Sequence, residues 1–146
     1  MKLTVDEARH LSERTLAAAG YNEVEAATIT EHIMDTELRG LDYGGLARTL
    51  SVFERTTKPG YERGDIEVVH ETPLSALVDG RNTIGYLVAR RASDLCIEKA
   101  SEHGMAVVGA RDTWHTGMLS FFAEMAAKRI NGGYYLDDVW RIVREY

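Results

Sequence analysis

The stretch "SALVDGRNTIGYLVARRASDLCIEKASEHGMAVVGARD", Ser75 to Asp112, decides how the chain is read. It opens on a short apolar run, Ser75 to Gly80, bounded by turn residues in the manner of a strand. From Arg81 onward the period changes. Ile84, Val88, Ala92, Leu95 and Lys99 recur at spacings of three and four, and Gly104 follows the last of them. That pattern predicts one helix of about twenty residues over Arg81 to Gly104. Met105 to Asp112 is again a short apolar run and reads as a buried strand. Strand, helix and strand in succession form an α/β unit.

The reading extends in both directions. Upstream, Ile66 to His70 ("IEVVH") is a second strand, separated by Pro73 from the first. Downstream, "GMLSFFAEMAAKR" predicts a helix starting near Met118. The N-terminal third is helical. Thr4 with Glu7 has the form of a capping box, and Gly20 suits the position after a helix end. Between them Val5, Ala8, Leu11, Thr15 and Ala18 lie on one face. Asn22 with Glu25 repeats the capping signal before a second helix, with a stripe of Ala26, Ile29 and Ile33 joined by Ala27, Met34 and Leu38, ending at Arg39-Gly40. Gly44-Gly45 interrupts the pattern, and Leu46, Leu50 and Phe53 resume it as a short helix. Lys58-Pro59-Gly60 is a turn, so a connection is expected across Thr57 to Asp65. The expected organisation is a helical N-terminal domain (1–57), a partial α/β domain (66–129) and an atypical tail (130–146). In the tail Asn131-Gly132-Gly133 forms a turn, and Leu136, Val139 and Val143 could share a helical stripe.

Composition narrows the function. The 146 residues carry a net charge of −6, which argues against nucleic acid, since a phosphate backbone needs a clustered basic face. Single Cys96 allows no internal disulfide and suits a reducing cytosol. The charged start lacks an apolar core of the signal-peptide kind, and no apolar run approaches the ~20 residues of a membrane span. A cytoplasmic protein without a membrane partner is expected. No two histidines have the spacing of a helical zinc site and Cys96 has no companion thiol, so no metal is expected. The glycine-rich signatures of Rossmann and P-loop sites are absent, as is the nucleophile elbow of hydrolases.

Two places carry chemistry. His115 in "RDTWHTG" stands where an apolar run gives way to a helical pattern. Backbone N–H groups point outward at such a turn, which favours an anionic ligand, and an imidazole there can act as acid or base near neutral pH. It can equally be a helix-terminal histidine bonded locally. "RGLDYGGLAR" gathers Arg39, Asp42, Tyr43 and Arg48 at a glycine-broken junction. The guanidiniums could clamp a carboxylate with Tyr43 as hydroxyl donor, or Asp42 could simply pair with an arginine.

In order along the chain, "RGLDYGGLAR", "LVDGRNTIGYLVARRASDLCIEKASEHG" and "RDTWHTG" resemble the motifs of the malate/L-lactate dehydrogenase family, which includes ureidoglycolate, sulfolactate and Δ1-piperideine-2-carboxylate oxidoreductases. The resemblance runs from about Val5 to Arg129. It implies a non-Rossmann α/β fold in which a helical N-terminal segment packs on a partial mixed β-sheet layer with flanking helices. It implies hydride transfer between NAD or NADP and a small 2-hydroxy, 2-keto or imino acid. By the same resemblance His115 falls on the family's catalytic acid/base. His115, Thr116, Gly117, Met118 and Leu119 fall on the cofactor-binding loop. Arg48 falls on the substrate-carboxylate arginine, with Tyr43 beside it. Tyr43-Gly44 stands where the family motif has Ser-His, and family chains continue well past Arg129. The resemblance also implies a homodimer or association with a longer family member; a non-catalytic paralogue acting through such a partner is the alternative.

Overall fold

The computed structural model describes residues 2–129, so the expected turn and stripe of the tail lie outside the described residues. The described chain forms two compact units that divide between Glu62 and Arg63.

The first unit is three helices, α1 (Val5–Ala18), α2 (Glu23–Leu38) and α3 (Ala47–Thr56). Both capping boxes form as the sequence predicts. Thr4 Oγ1 accepts from the Glu7 N–H at 3.2 Å, and the Glu7 carboxylate accepts from the Thr4 N–H at 2.8 Å. Asn22 and Glu25 exchange the same pair of bonds at 3.0 and 2.9 Å. Each box satisfies two of the amide donors that a helix start leaves orphaned.

The buried faces differ from the predicted stripes. Helix α1 buries Ala8, Ser12 and Leu16, while Val5 is 47% and Leu11 49% exposed. Helix α3 buries Thr49 and Val52, leaving Leu50 exposed, and in α2 Ala27 and Leu38 face outward. The reason is a set of hydroxyls in the interior. Ser12 Oγ lies 3.0 Å from Thr30 Oγ1 and 3.0 Å from Thr49 Oγ1, one residue from each helix, and all three are buried. Buried hydroxyls must find partners, so these helices turn inward a face that a count of apolar residues overlooks. Leu16, Ile29, Ile33 and Val52 complete that interior with no exposed surface.

The second unit holds β1 (Glu67–Glu71), β2 (Ser75–Ile84), α4 (Gly85–His103), β3 (Val107–Trp114) and α5 (Leu119–Arg129). Its sheet is mixed, in the order β1-β2-β3, with β1 antiparallel and β3 parallel to β2. The parallel pair needs a crossover, which α4 supplies. Alternate residues Ala76 and Val78 of β2 and Val108 and Ala110 of β3 pack against Val88, Ala92, Leu95 and Cys96 of α4. Burial among these pushes the Cys96 thiol pKa up. Lys99, the last residue of the predicted stripe, is buried to its ammonium, which donates to the Thr72 carbonyl at 2.7 Å and pairs with Glu71 at 2.8 Å. Gly104 ends α4 in the left-handed conformation, φ 84°.

Two boundaries are corrected. The predicted helix start at Arg81 is still strand, and the helix begins at Gly85. Arg81 and Asn82 adopt left-handed φ of 46° and 61°, making a bulge between the Asp79–Arg111 and Thr83–Thr113 pairs, after which β2 resumes to Ile84. Opposite the bulge, β3 runs on past the predicted Asp112 to Trp114. Asp79 anchors this irregularity. It accepts from Arg111 Nε at 2.9 Å and Nη2 at 2.8 Å, and from the Arg81 N–H at 3.1 Å.

Leu16→Ala is expected to cost about 2–5 kcal/mol in urea unfolding, and Leu11→Ala less than about 0.5 kcal/mol. Equal losses would mean that the sequence stripe, not the hydroxyl-lined face, is the core.

The hydrogen bond from Arg111, then that from the Arg81 N–H, holds the Asp79 carboxyl below its ordinary value. A carboxyl lowered by folding adds stability above the ordinary value, about 3.9, and loses it as pH falls through the lower folded value. Thermal melts between about pH 5 and pH 2 are therefore expected to fall less steeply in Arg111→Met than in the parent chain. Identical slopes would remove Arg111 as the cause.

Candidate functional site

Because β2 and β3 are parallel, their carboxyl ends lie side by side, and each feeds a helix there. In α/β sheets ligands bind outside such ends. Ile84 pairs with Trp114 as the last rung of the ladder, so Gly85 starts α4 where His115 starts the loop to α5. His115 thus follows its strand directly, four residues nearer the strand end than an end near Ala110 would place it.

The loop from His115 to Met118 is held from three sides. Trp114 Nε1 donates to the Asn82 carbonyl at 2.9 Å, and Thr113 Oγ1 donates to the Thr83 carbonyl at 2.8 Å. The third side is close packing. A Cβ on Gly85 would stand 2.7 Å from the Thr116 Cα, 2.8 Å from its nitrogen and 3.0 Å from the His115 carbonyl carbon. Only hydrogen at position 85 lets this backbone settle over the first turn of α4.

His115 has φ 55°, a left-handed conformation uncommon outside glycine, and Gly117 follows at φ 82°. Strain of this sort persists only where the surroundings over-determine it. Its imidazole Nε2 lies 3.0 Å from the hydroxyl of Tyr86, and the two rings meet edge to face, with centroids 5.4 Å apart and planes at 86°. Tyr86 is the second residue of α4 and only 1% exposed. It was not among the sequence candidates. A tyrosine at the start of a largely buried helix looks like ordinary core, and only the pairing of β2 with β3 brings it to His115.

Thr116 is buried, 9% exposed, and its Oγ1 has no hydrogen-bond partner among the described residues. A buried hydroxyl left unmatched has a cost of about 1–3 kcal/mol, which a ligand oxygen or nitrogen would offset. Met118 and Leu119 complete the turn into α5, with Leu119 37% exposed. The starts of α4 and α5 leave amide donors without helical partners, the arrangement that receives anions. Donor amides, an unmatched hydroxyl and an imidazole suit the polar groups of a nicotinamide dinucleotide.

The other two candidates belong to the first unit. Arg48, at the start of α3, donates from Nη2 to the Tyr43 carbonyl at 2.7 Å, and its Nε is buried without a partner among the described residues. The Tyr43 side chain is 77% exposed. Arg39 pairs with Asp35 at 2.8 Å, so the expected bridge of an arginine to Asp42 is not the one formed here. Glu37 of α2 accepts from the Leu46 N–H at 2.6 Å and caps α3. The structure therefore joins His115 to Leu119 in one loop and Tyr43 to Arg48 in another. Among the described residues no three His, Cys, Asp or Glu side chains are grouped to hold a metal ion, and no helix is long and apolar enough to cross a membrane.

Comparison with known proteins bears on the same stretch. The sequence profile of the malate/L-lactate dehydrogenases matches residues 3–130. The malate/(S)-sulfolactate dehydrogenase of Methanothermus fervidus is 33% identical over 132 residues, covering 88% of this chain and 38% of the relative. The NAD(+) ureidoglycolate dehydrogenase of Escherichia coli is 32% identical over 129 residues, with 88% and 37% covered. Among solved structures, the malate dehydrogenase of Pyrococcus horikoshii superposes with a TM-score of 0.82 at 29% identity, over 88% of this chain and 37% of that one. The chain thus spans well under half the length of the curated relatives that it matches. On the match of residues 3–130, it belongs to the malate/L-lactate dehydrogenase family.

Proposed function

We propose that this chain carries the acid/base and cofactor loop of a nicotinamide-dependent oxidoreductase acting on a small 2-hydroxy, 2-keto or imino acid. The observation that carries the reading is the loop itself. The motif "RDTWHTG" folds as a strained turn at the carboxyl end of a parallel strand, with an imidazole and an unmatched buried hydroxyl between two helix starts. Family membership supports the chemistry.

On this reading His115 takes the proton of the substrate hydroxyl on oxidation and returns it on reduction, the acid/base role an imidazole is suited to. Bound NAD or NADP supplies the hydride acceptor or donor. Thr116 Oγ1 and the amides of Gly117, Met118 and Leu119 hold the cofactor's polar groups. Arg48 holds the substrate carboxylate through its guanidinium donors, and Tyr43 adds a hydroxyl donor to the same ligand. With Gly44 in place of the motif's histidine, the proton transfer rests on His115. The assembly proposed is a homodimer, or a complex with a longer member of the family.

Titration with NADH and NADPH, read by energy transfer from Trp114 beside the loop, tests the proposal. Saturable binding is expected, weakened at least about tenfold in His115→Ala. Gly85→Ala is expected to abolish it and to lose about 1–3 kcal/mol of stability, because the new methyl group meets backbone rather than a flexible side chain. Unaltered cofactor affinity in both variants would sink the assignment of this loop.

A further inference from the structure

The chain enters the second unit at Arg63, and the bulge of β2 grips the residue that follows. The Gly64 N–H donates to the Arg81 carbonyl at 2.9 Å, and the Gly64 carbonyl accepts from Thr83 Oγ1 at 3.0 Å. A Cβ on Gly64 would stand 3.0 Å from both Cβ and Cδ of Arg81, so only a glycine lets the incoming chain lie this close. The next two carbonyls of the bulge are taken from elsewhere. That of Asn82 accepts from the Trp114 indole at 2.9 Å, and that of Thr83 from Thr113 Oγ1 at 2.8 Å. Arg81, Asn82 and Thr83 therefore bond two segments at once, the point of chain entry and the two residues that precede His115. Thr83 is common to both. It is fully buried, with its hydroxyl on Gly64 and its carbonyl on Thr113.

We propose that Thr83 is a positioning residue for His115: through its hydroxyl and its carbonyl it joins the point of chain entry and the acid/base loop into one stiff piece. The residue type suits the task. Two heavy atoms on Cβ leave a threonine few choices of χ1, so a bond at Oγ1 ties Gly64 to the Thr83 backbone rather than to a swinging side chain. Asp79 fixes where the left-handed residues Arg81 and Asn82 leave the strand, and the Thr83 hydroxyl fixes where they return to it. Strain at such residues is held only by surroundings that over-determine it. A displacement of Gly64 is then carried by one side chain and one carbonyl to Thr113, two residues before the imidazole. The catalytic consequence rests on the oxidoreductase reading above; the mechanical link does not.

The test is the ¹H–¹⁵N spectrum of the full chain, whose two tryptophans give two indole N–H signals. Trp114→Phe identifies the one beside the loop, and His115→Gln the imidazole signals. Thr83→Val keeps the branched shape and removes only the hydroxyl. It is expected to displace both sets of signals and to speed exchange of the Trp114 indole N–H about fivefold, the worth of one net hydrogen bond, while the amides of α4 keep the parent rates. Thr83→Ser is expected to restore the parent spectrum. Gly64→Ala, at an exposed position, crowds the same clamp from its other side and is expected to displace the same signals, which keeps the test open if Thr83→Val does not fold. Unchanged Trp114 and His115 signals in either variant would overturn the proposal. So would exchange that quickens equally throughout α4, since that is lost stability rather than lost positioning. NADH titration of the same samples separates the two readings: failure of the parent chain to bind cofactor counts against the oxidoreductase assignment, while the spectra alone decide the role of Thr83.

Discussion

The backbone of His115 and Thr116 lies so close over the first turn of α4 that a Cβ at position 85 would stand 2.7 Å from the Thr116 Cα, and the site follows from that contact. The crossover through α4 makes β2 and β3 parallel, so the two strand ends and the two helix starts share one end of the sheet. Parallel pairing alone would leave them side by side at ordinary packing distance. The missing side chain at Gly85 closes the gap, and closing it brings the ring of His115 onto the hydroxyl of Tyr86, the next residue along α4. One absent methyl group therefore links helix packing to the orientation of an imidazole.

The loop also needs support against its own strain. Arg81, Asn82, Asp112 and His115 all have left-handed φ; the first two lie in the bulge where β2 has extra residues against β3, and Asp112 stands opposite it. Each such residue is costly by about 1–3 kcal/mol in isolation. The bulge is held by Asp79, which binds Arg111 from β3 and the Arg81 amide, and by the Trp114 indole on the Asn82 carbonyl. The exposed ion pair is a small contribution by itself. Its value is geometric, since it fixes where the strand resumes and so where Thr83, Ile84 and the start of α4 lie.

Much of this was legible in the sequence, and what was missed has a common cause. The capping boxes of α1 and α2, the stripe of α4 and the apolar run of β2 depend on residues within a turn or two of each other, and the structure has them as read. His115 could be singled out as a candidate because its motif is contiguous. The bulge was not, because Arg81, Asn82 and Thr83 are polar enough to pass for the start of a helix, and only pairing with β3 keeps them in the sheet. The inward face of α1 was misplaced for a related reason. Ser12 is a poor core residue until Thr30 and Thr49, 18 and 37 residues away, supply its partners. Tyr86 escaped notice in the same manner, because its partner is 29 residues distant. Local periodicity records which residues are apolar, whereas polar pairs across elements decide the details.

The same argument accounts for the departure at Tyr43-Gly44 and for the Gly45 that follows it. A Cβ on Gly44 would lie 2.9 Å from the Thr36 Cγ2, and one on Gly45 would collide with the Glu37 carboxylate. That carboxylate accepts from the Leu46 amide and caps α3, a helix whose own N-cap residue offers no side-chain bond. The two glycines are thus tied to α2: one makes room for a threonine, the other lets a glutamate reach the next helix. An imidazole at position 44 would have to displace Thr36, whose hydroxyl is bonded at 2.8 Å to the His32 carbonyl. The histidine of the family motif is therefore more than a missing side chain here, because the surrounding helices are packed around its absence. On the proposed reading this leaves His115, steadied by Tyr86, as the imidazole around which the proton chemistry is built.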